Sequence, residues 1–142
     1  MPLPTRADRN TVAQKTPTYY SDFLDNFIRH PVTNALAVAT NAAAVIQAIK
    51  NLVNTNLEDR PFEPLVGTNT RASLFEPNDF IASDSLTTNI TYAINTYEKR
   101  ANLISVVVTP SADQNSLYIA ITFSLINNPT PISFNMILKR VR

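Results

Sequence analysis

Residues 117–125 read Leu117-Tyr118-Ile119-Ala120-Ile121-Thr122-Phe123-Ser124-Leu125. Large apolar side chains occupy every odd position, and mixed or polar ones every even position. Successive Cβ atoms of an extended chain point to opposite faces, so this two-residue period predicts a strand with one buried and one solvated face. The same reading extends to either side. Residues 103–109 place Ile104, Val106 and Val108 on one face, and Ile132, Phe134, Met136 and Leu138 alternate again downstream. Residues 110–115 read as a turn, and Asn127-Asn128-Pro129-Thr130-Pro131 as a break between strands. Three consecutive strands with short connections predict an antiparallel meander.

Upstream the period changes. Val45, Ile46, Ile49, Leu52 and Val53 follow the i, i+1, i+4, i+7, i+8 spacing of one helix face, with Asn41 as the expected N-cap and the helix fading by residues 54–56. A second helix is expected from Ser83 or Asp84 to Lys99, its apolar stripe formed by Leu86, Ile90, Ala93, Ile94 and Tyr97. Lys99 and Arg100 fall at its C-terminus, where the helix dipole favours cations. Two amphipathic helices followed by three strands predict an α+β fold, the helices packed on one face of a small, mainly antiparallel sheet. Such a sheet has two edges, each of which must be blunted or used by a partner strand.

Two irregular segments frame the first helix. Residues 1–40 read as a partly extended N-terminal arm: Pro2, Pro4 and Pro17 interrupt a polar stretch without periodicity, and Leu36 and Val38 fit a short strand or hairpin. Residues 41–142 form the expected domain. Residues 58–78 carry Arg60-Pro61-Phe62-Glu63-Pro64, the single glycine Gly67 and Leu74-Phe75-Glu76-Pro77, so long helices are excluded there. A loop of this length is usually functional or bound. Either Phe62 and Phe75 plug the core from the loop, or they and Arg60 form a docking surface of the aromatic and guanidinium type that dominates interface centres.

Composition narrows the chemistry. The chain has 142 residues, no Cys and no Trp, and twelve Lys+Arg against eleven Asp+Glu. The lack of Cys removes disulfides, thiolate metal sites and cysteine nucleophiles. A net charge of +1 gives no general attraction to nucleic acid or anionic membrane. Charged residues make up 16% of the chain, against about 25% in ordinary proteins, and sixteen Asn and sixteen Thr take their place. No apolar leader opens the sequence and no window is long enough to span a bilayer, so neither secretion nor membrane insertion is expected. His30 is the only histidine and builds no metal site or triad by itself. One glycine excludes a phosphate-cradling loop. Glu58, Asp59, Glu63, Glu76, Asp79, Asp84 and Glu98 include pairs that a glycoside hydrolase would require, but they are dispersed, and caps or solvated charges are the simpler reading. No catalytic residue, metal ligand or cofactor is therefore expected.

Asn51-Leu52-Val53-Asn54-Thr55, Arg60-Pro61-Phe62-Glu63-Pro64, Gly67 and Leu74-Phe75-Glu76, in that order and spacing, resemble the baseplate wedge subunit of contractile-tailed phages, the family of the T4 gene 25 product; type VI secretion baseplates have a related member. Asn95-Thr96-Tyr97-Glu98-Lys99-Arg100 is similar to the family's Tyr-Glu-Pro-Arg segment, and residues 123–129 to its turn into the last strand. The resemblance spans about residues 41–140. Glu58 and Asp59 stand where the family often has Gly, and Lys99 replaces the family's Pro, so both turns are expected to differ. The resemblance implies a domain similar to the strand-exchanging domain of the tail sheath, assembled in the host cytoplasm into the virion baseplate. Glu98, Lys99 and Arg100, with Arg60, Phe62 and Phe75, would bind a helical bundle of the large wedge protein. Ile132, Phe134, Met136 and Leu138 would mark the strand that receives tail sheath strands. Other wedge and tube-proximal proteins complete the expected partners. Members have also been labelled lysozymes, so a peptidoglycan-degrading baseplate lysozyme is the alternative expectation.

Overall fold

A computed structural model describes residue 17 and residues 19–75, 80–111 and 116–139. The expectations placed on residues 1–16, on Glu76, Pro77 and Asp79 and on residues 112–115 of the expected turn lie outside the described residues. In chain order the elements are β1 (Ser21–Phe23), β2 (Val38–Thr40), α1 (Ala42–Asn54), α2 (Thr70–Ser73), α3 (Phe80–Tyr97), β3 (Ala101–Ser111), β4 (Ser116–Leu125) and β5 (Asn128–Lys139). The last three form an antiparallel sheet of order β3-β4-β5.

The alternating segment is the central strand. Leu117, Ile119, Ile121, Phe123 and Leu125 of β4 are all buried and meet Val45, Ile49, Leu86, Ile90 and Ile94 from the two long helices in one core. The opposite face of the sheet is mixed: Ala120 and Thr122 of β4 stand there beside the exposed apolar side chains of Val107, Tyr118 and Ile137. This is the α+β arrangement expected, with two additions that periodicity did not show.

The first is in β3. Leu103 pairs with Phe123, but the next pair is Ser105 with Thr122, so Ile104 is an extra residue in a β-bulge. The bulge shifts the alternation by one. Leu103, Val106 and Val108 face the core, whereas Ile104 is 58% exposed, which corrects its expected place beside Val106.

The second is in β5. Residues 128–131 are strand rather than a break, and the turn is only Ile126-Asn127. Phe123 pairs with Ile132 and Leu125 with Asn128, leaving Pro129, Thr130 and Pro131 opposite Ser124. Prolines offer no ladder donor and are tolerated at a bulge on an edge strand, and β5 supplies both conditions.

The N-terminal segment folds back as a ribbon. β1 pairs with β2, and an isolated bridge joins Arg29 to Leu36. Asn41 stands at the N-cap position of α1, but its side chain does not cap the helix. Its Oδ1 accepts from the Tyr19 and Tyr20 amides at 2.9 and 3.4 Å, and its Nδ2 donates to the Pro17 carbonyl at 3.0 Å. The arm is thus tied to the entrance of α1.

The long loop is sewn to the end of α1. The hydroxyls of buried Thr68 and Thr70 both donate to the Val53 carbonyl, at 2.8 and 3.0 Å, and the Thr68 amide donates to Thr55 O at 2.8 Å. These bonds satisfy helix-terminal carbonyls that would otherwise be buried without donors. Gly67 permits the close approach, with φ +143 and its Cα so near the chain that a Cβ would lie 2.6 Å from Thr55 O.

Candidate functional site

Glu98 follows the last turn of α3 and is only 7% exposed. Its carboxylate accepts from Arg100 Nε and Nη2, both at 2.7 Å, and from the Arg100 amide at 3.2 Å. This is a bidentate, charge-assisted pair closed within three residues. The Arg100 side chain remains 32% exposed and lies 5.8 Å from the centroid of the Tyr20 ring, which places a cation over a π face. The hydrogen bond to Glu98 raises the Arg100 pKa above the ordinary arginine value; burial opposes this and the charges of Glu98 and Asp22 reinforce it. Tyr20 OH in turn accepts from Asn127 Nδ2 at 3.0 Å, connecting the arm to the β4–β5 turn. Lys99 is turned away from this pair, its Nζ donating to Asn95 O at 2.8 Å and closing the last turn of α3.

Arg60 and Glu98 line one depression of about 250 Å³ together with Asp22, Asn51 and Tyr97. The loop is held at its wall by Tyr97 OH, which donates to Leu65 O at 2.8 Å. Arg60 makes a loose pair with Glu63 at 3.9 Å. Phe62, at the apex between them, is 98% exposed, and Phe75 is 63% exposed. Neither plugs the core, which decides that question in favour of surface aromatics. The structure does not place Phe75 in the same depression. It lines a second, larger trough of about 440 Å³ at the C-terminal end of β5, opposite Leu138 and Lys139.

Ile132, Phe134, Met136 and Leu138 share the core-facing side of β5, and each is only partly buried. Phe134 packs edge-to-face on Phe123, with ring centroids 6.1 Å apart, and Lys50 of α1 lies 5.7 Å from its ring centre. β5 pairs only with β4, so its outer edge is open among the described residues.

The remaining candidates have local duties. His30 Nδ1 accepts from the Val32 and Thr33 amides, both at 3.3 Å, as a turn cap in the arm. Asp59 Oδ2 accepts from the Asn56 amide at 2.8 Å. No cluster of three or more His, Cys, Asp or Glu side chains that could hold a metal occurs among the described residues. Sequence reading does not show the Thr68–Thr70 pair or the hydroxyl contacts of Tyr20 and Tyr97. Their polar atoms meet partners far away in sequence, a fact that no local pattern encodes.

Comparison with known proteins adds a consistent set of relatives. Residues 39–130 match the family described as baseplate wedge protein gp25. Over 91 residues the chain is 34% identical to the baseplate wedge protein gp25 of Enterobacteria phage T4, covering 61% of this chain and 69% of the T4 protein. Among solved structures, the fold is similar to a putative tail lysozyme from Geobacter sulfurreducens, with a TM-score of 0.68, 17% identity and coverage of 76% of this chain and 98% of that one. It is also similar to a chain of the anti-feeding prophage baseplate, with a TM-score of 0.59, 16% identity and coverage of 83% of each chain. At these identities the two structures bear on fold alone.

Proposed function

The chain belongs to the baseplate wedge protein gp25 family, and from that premise we propose that it docks on a helical bundle of the large wedge protein and starts tail sheath assembly by accepting strands at β5. Membership makes it a structural component of a phage tail baseplate, carried in the virion. The finer roles rest on the geometry.

The observation that carries the strand-accepting role is the state of β5. Its core-facing side chains lie on the same face as the buried row of β4, yet all four retain exposed surface beside an unpaired edge. A further strand would supply main-chain partners to that edge and cover those side chains. For wedge docking, the supporting feature is the depression between the loop and the end of α3. Arg60 lines it, exposed Phe62 follows two residues on in the same loop, and Arg100, bonded to the lining residue Glu98, is held in one orientation by Glu98 and Tyr20. Glu98 is then a positioning residue, because its carboxylate is already occupied by Arg100. Residues 1–40 act in this reading as an arm that extends the docking face.

The test is co-expression of the tagged chain with its own large wedge protein and tail sheath protein. Met136→Lys places an inward-pointing charge at the partly buried rim of β5, a substitution that blunts an edge while leaving the main core intact. The variant should fold, retain the wedge protein and lose the sheath. Unchanged sheath recovery by a folded Met136→Lys would refute strand addition at β5. Turnover of purified peptidoglycan by the isolated chain would instead favour the hydrolytic alternative.

A further inference from the structure

The trough of about 440 Å³ at the end of β5 has an apolar floor of Val53, Leu74, Phe75 and Leu138, with Arg71 and Lys139 among its walls. Among the described residues its lining carries positive charge only. The three elements that meet there, α1, α2 and β5, carry Lys50, Arg71 and Lys139 and no acidic residue at all. The ion pairs found among the described residues are Arg60–Glu63 and Glu98–Arg100, and neither Arg71 nor Lys139 takes part in one. Both are exposed. An apolar recess bordered by cations complements a ligand that joins apolar bulk to negative charge.

We infer that this trough receives the acidic end of an extended segment from a partner protein, with an apolar side chain seated between Leu74 and Leu138 and carboxylates paired with Arg71 and Lys139. The placement rests on the strand-addition reading, because a strand running antiparallel along β5 would begin beside Leu138. The chemistry of the trough does not depend on it. Since side chains of an added strand alternate between faces, the segment would carry apolar residues at every second position and its acids at the N-terminal end.

The test uses the full chain and two blocked peptides, acetyl-Asp-Leu-Glu-Ile-Thr-Val-Thr-Ile-amide and acetyl-Lys-Leu-Lys-Ile-Thr-Val-Thr-Ile-amide, titrated at low salt while the methyl signals of Leu74 and Leu138 and the amide signals of residues 132–137 are followed by NMR. The acidic peptide should shift both leucine methyls and bind about tenfold more tightly than the lysine peptide, a preference that added salt weakens. Arg71→Glu combined with Lys139→Glu, both at exposed positions, should reverse it. Equal affinity of the two peptides with β5 amide shifts would leave strand addition standing and overturn the acidic trough. Charge-selective methyl shifts without β5 amide shifts would uphold the trough and count against strand addition. Absence of any methyl shift with the acidic peptide overturns the inference.

Discussion

The Glu98–Arg100 pair makes a prediction whose magnitude depends on which partner is removed. Glu98 is 7% exposed and surrounded by protein, whereas the Arg100 side chain is 32% exposed. Arg100→Ala strands a buried carboxylate. Breaking a fully buried pair in that way costs about 3–5 kcal/mol, and the lower end applies because solvent reaches one side of this pair. Glu98→Ala leaves a guanidinium that can turn to water. It forfeits the two guanidinium hydrogen bonds and the one from the Arg100 amide but strands no charge, so about 1.5 kcal/mol is the expected cost. The double variant removes the stranded charge as well and should cost about 2 kcal/mol, giving a coupling of about 2.5 kcal/mol.

Urea unfolding of the two single variants and the double variant, followed by far-ultraviolet circular dichroism, closes this cycle. Additive losses, or a Glu98→Ala loss equal to that of Arg100→Ala, would refute the argument, because either result requires the Glu98 carboxylate to be hydrated without its partner. The pH dependence has a defined sign. A raised arginine pKa contributes stability that is fully present below the unfolded value and is lost only as pH rises through the folded one. The contribution of Arg100 should therefore be constant across the neutral range and fall only in strong alkali.

Three other substitutions test the loop. Gly67→Ala would bring a Cβ within 2.8 Å of backbone atoms of Thr55 and Asn56 at a φ of +143, and should cost about 3 kcal/mol, read as a fall in melting temperature of roughly 10 °C. Glu58 stands at φ 71, a left-handed conformation that costs a non-glycine residue about 1–2 kcal/mol, so Glu58→Gly should stabilise the chain by up to about 1 kcal/mol in the same assay, the larger entropy of the unfolded glycine offsetting part of the gain. Phe62→Ala removes a side chain that is 98% exposed; its unfolding free energy should stay within about 0.5 kcal/mol of the parent. Its recovery of the large wedge protein in co-purification should fall about tenfold, as for an aromatic anchor at an interface centre.

What could be read from sequence was whatever a one-dimensional period encodes. The odd positions of β4 and the stripe of α3 each repeat a spacing that only one secondary structure can bury, so their inward faces are legible in the sequence alone. Alternation alone puts Ile104 on the wrong face, because a bulge preserves local composition while shifting the period by one residue. Pro129 and Pro131 read as a break because proline rules describe an average strand, and their placement is permitted only by a bulge on an edge. Asn41 shows a different limit. Its residue type fits an N-cap, but the same amide serves three distant backbone groups, and the choice between the two uses is made by where Pro17, Tyr19 and Tyr20 return in space.

The candidate site divides along the same line. Family resemblance groups Phe75 with Arg60 and Phe62 because all lie in one loop, yet Arg60 lines the depression beside the end of α3 while Phe75 lines the trough beside β5. The helical turn Thr70–Ser73 between them, anchored through Thr70 to Val53 O, is what carries the chain from one place to the other. One loop therefore serves two surfaces, and the two surfaces are joined through the C-terminus of α1. A substitution at the Thr68–Thr70 anchor should affect both, whereas Phe62→Ala and Met136→Lys should each affect one. That contrast separates a wedge-docking surface and a strand-accepting edge from a single diffuse interface.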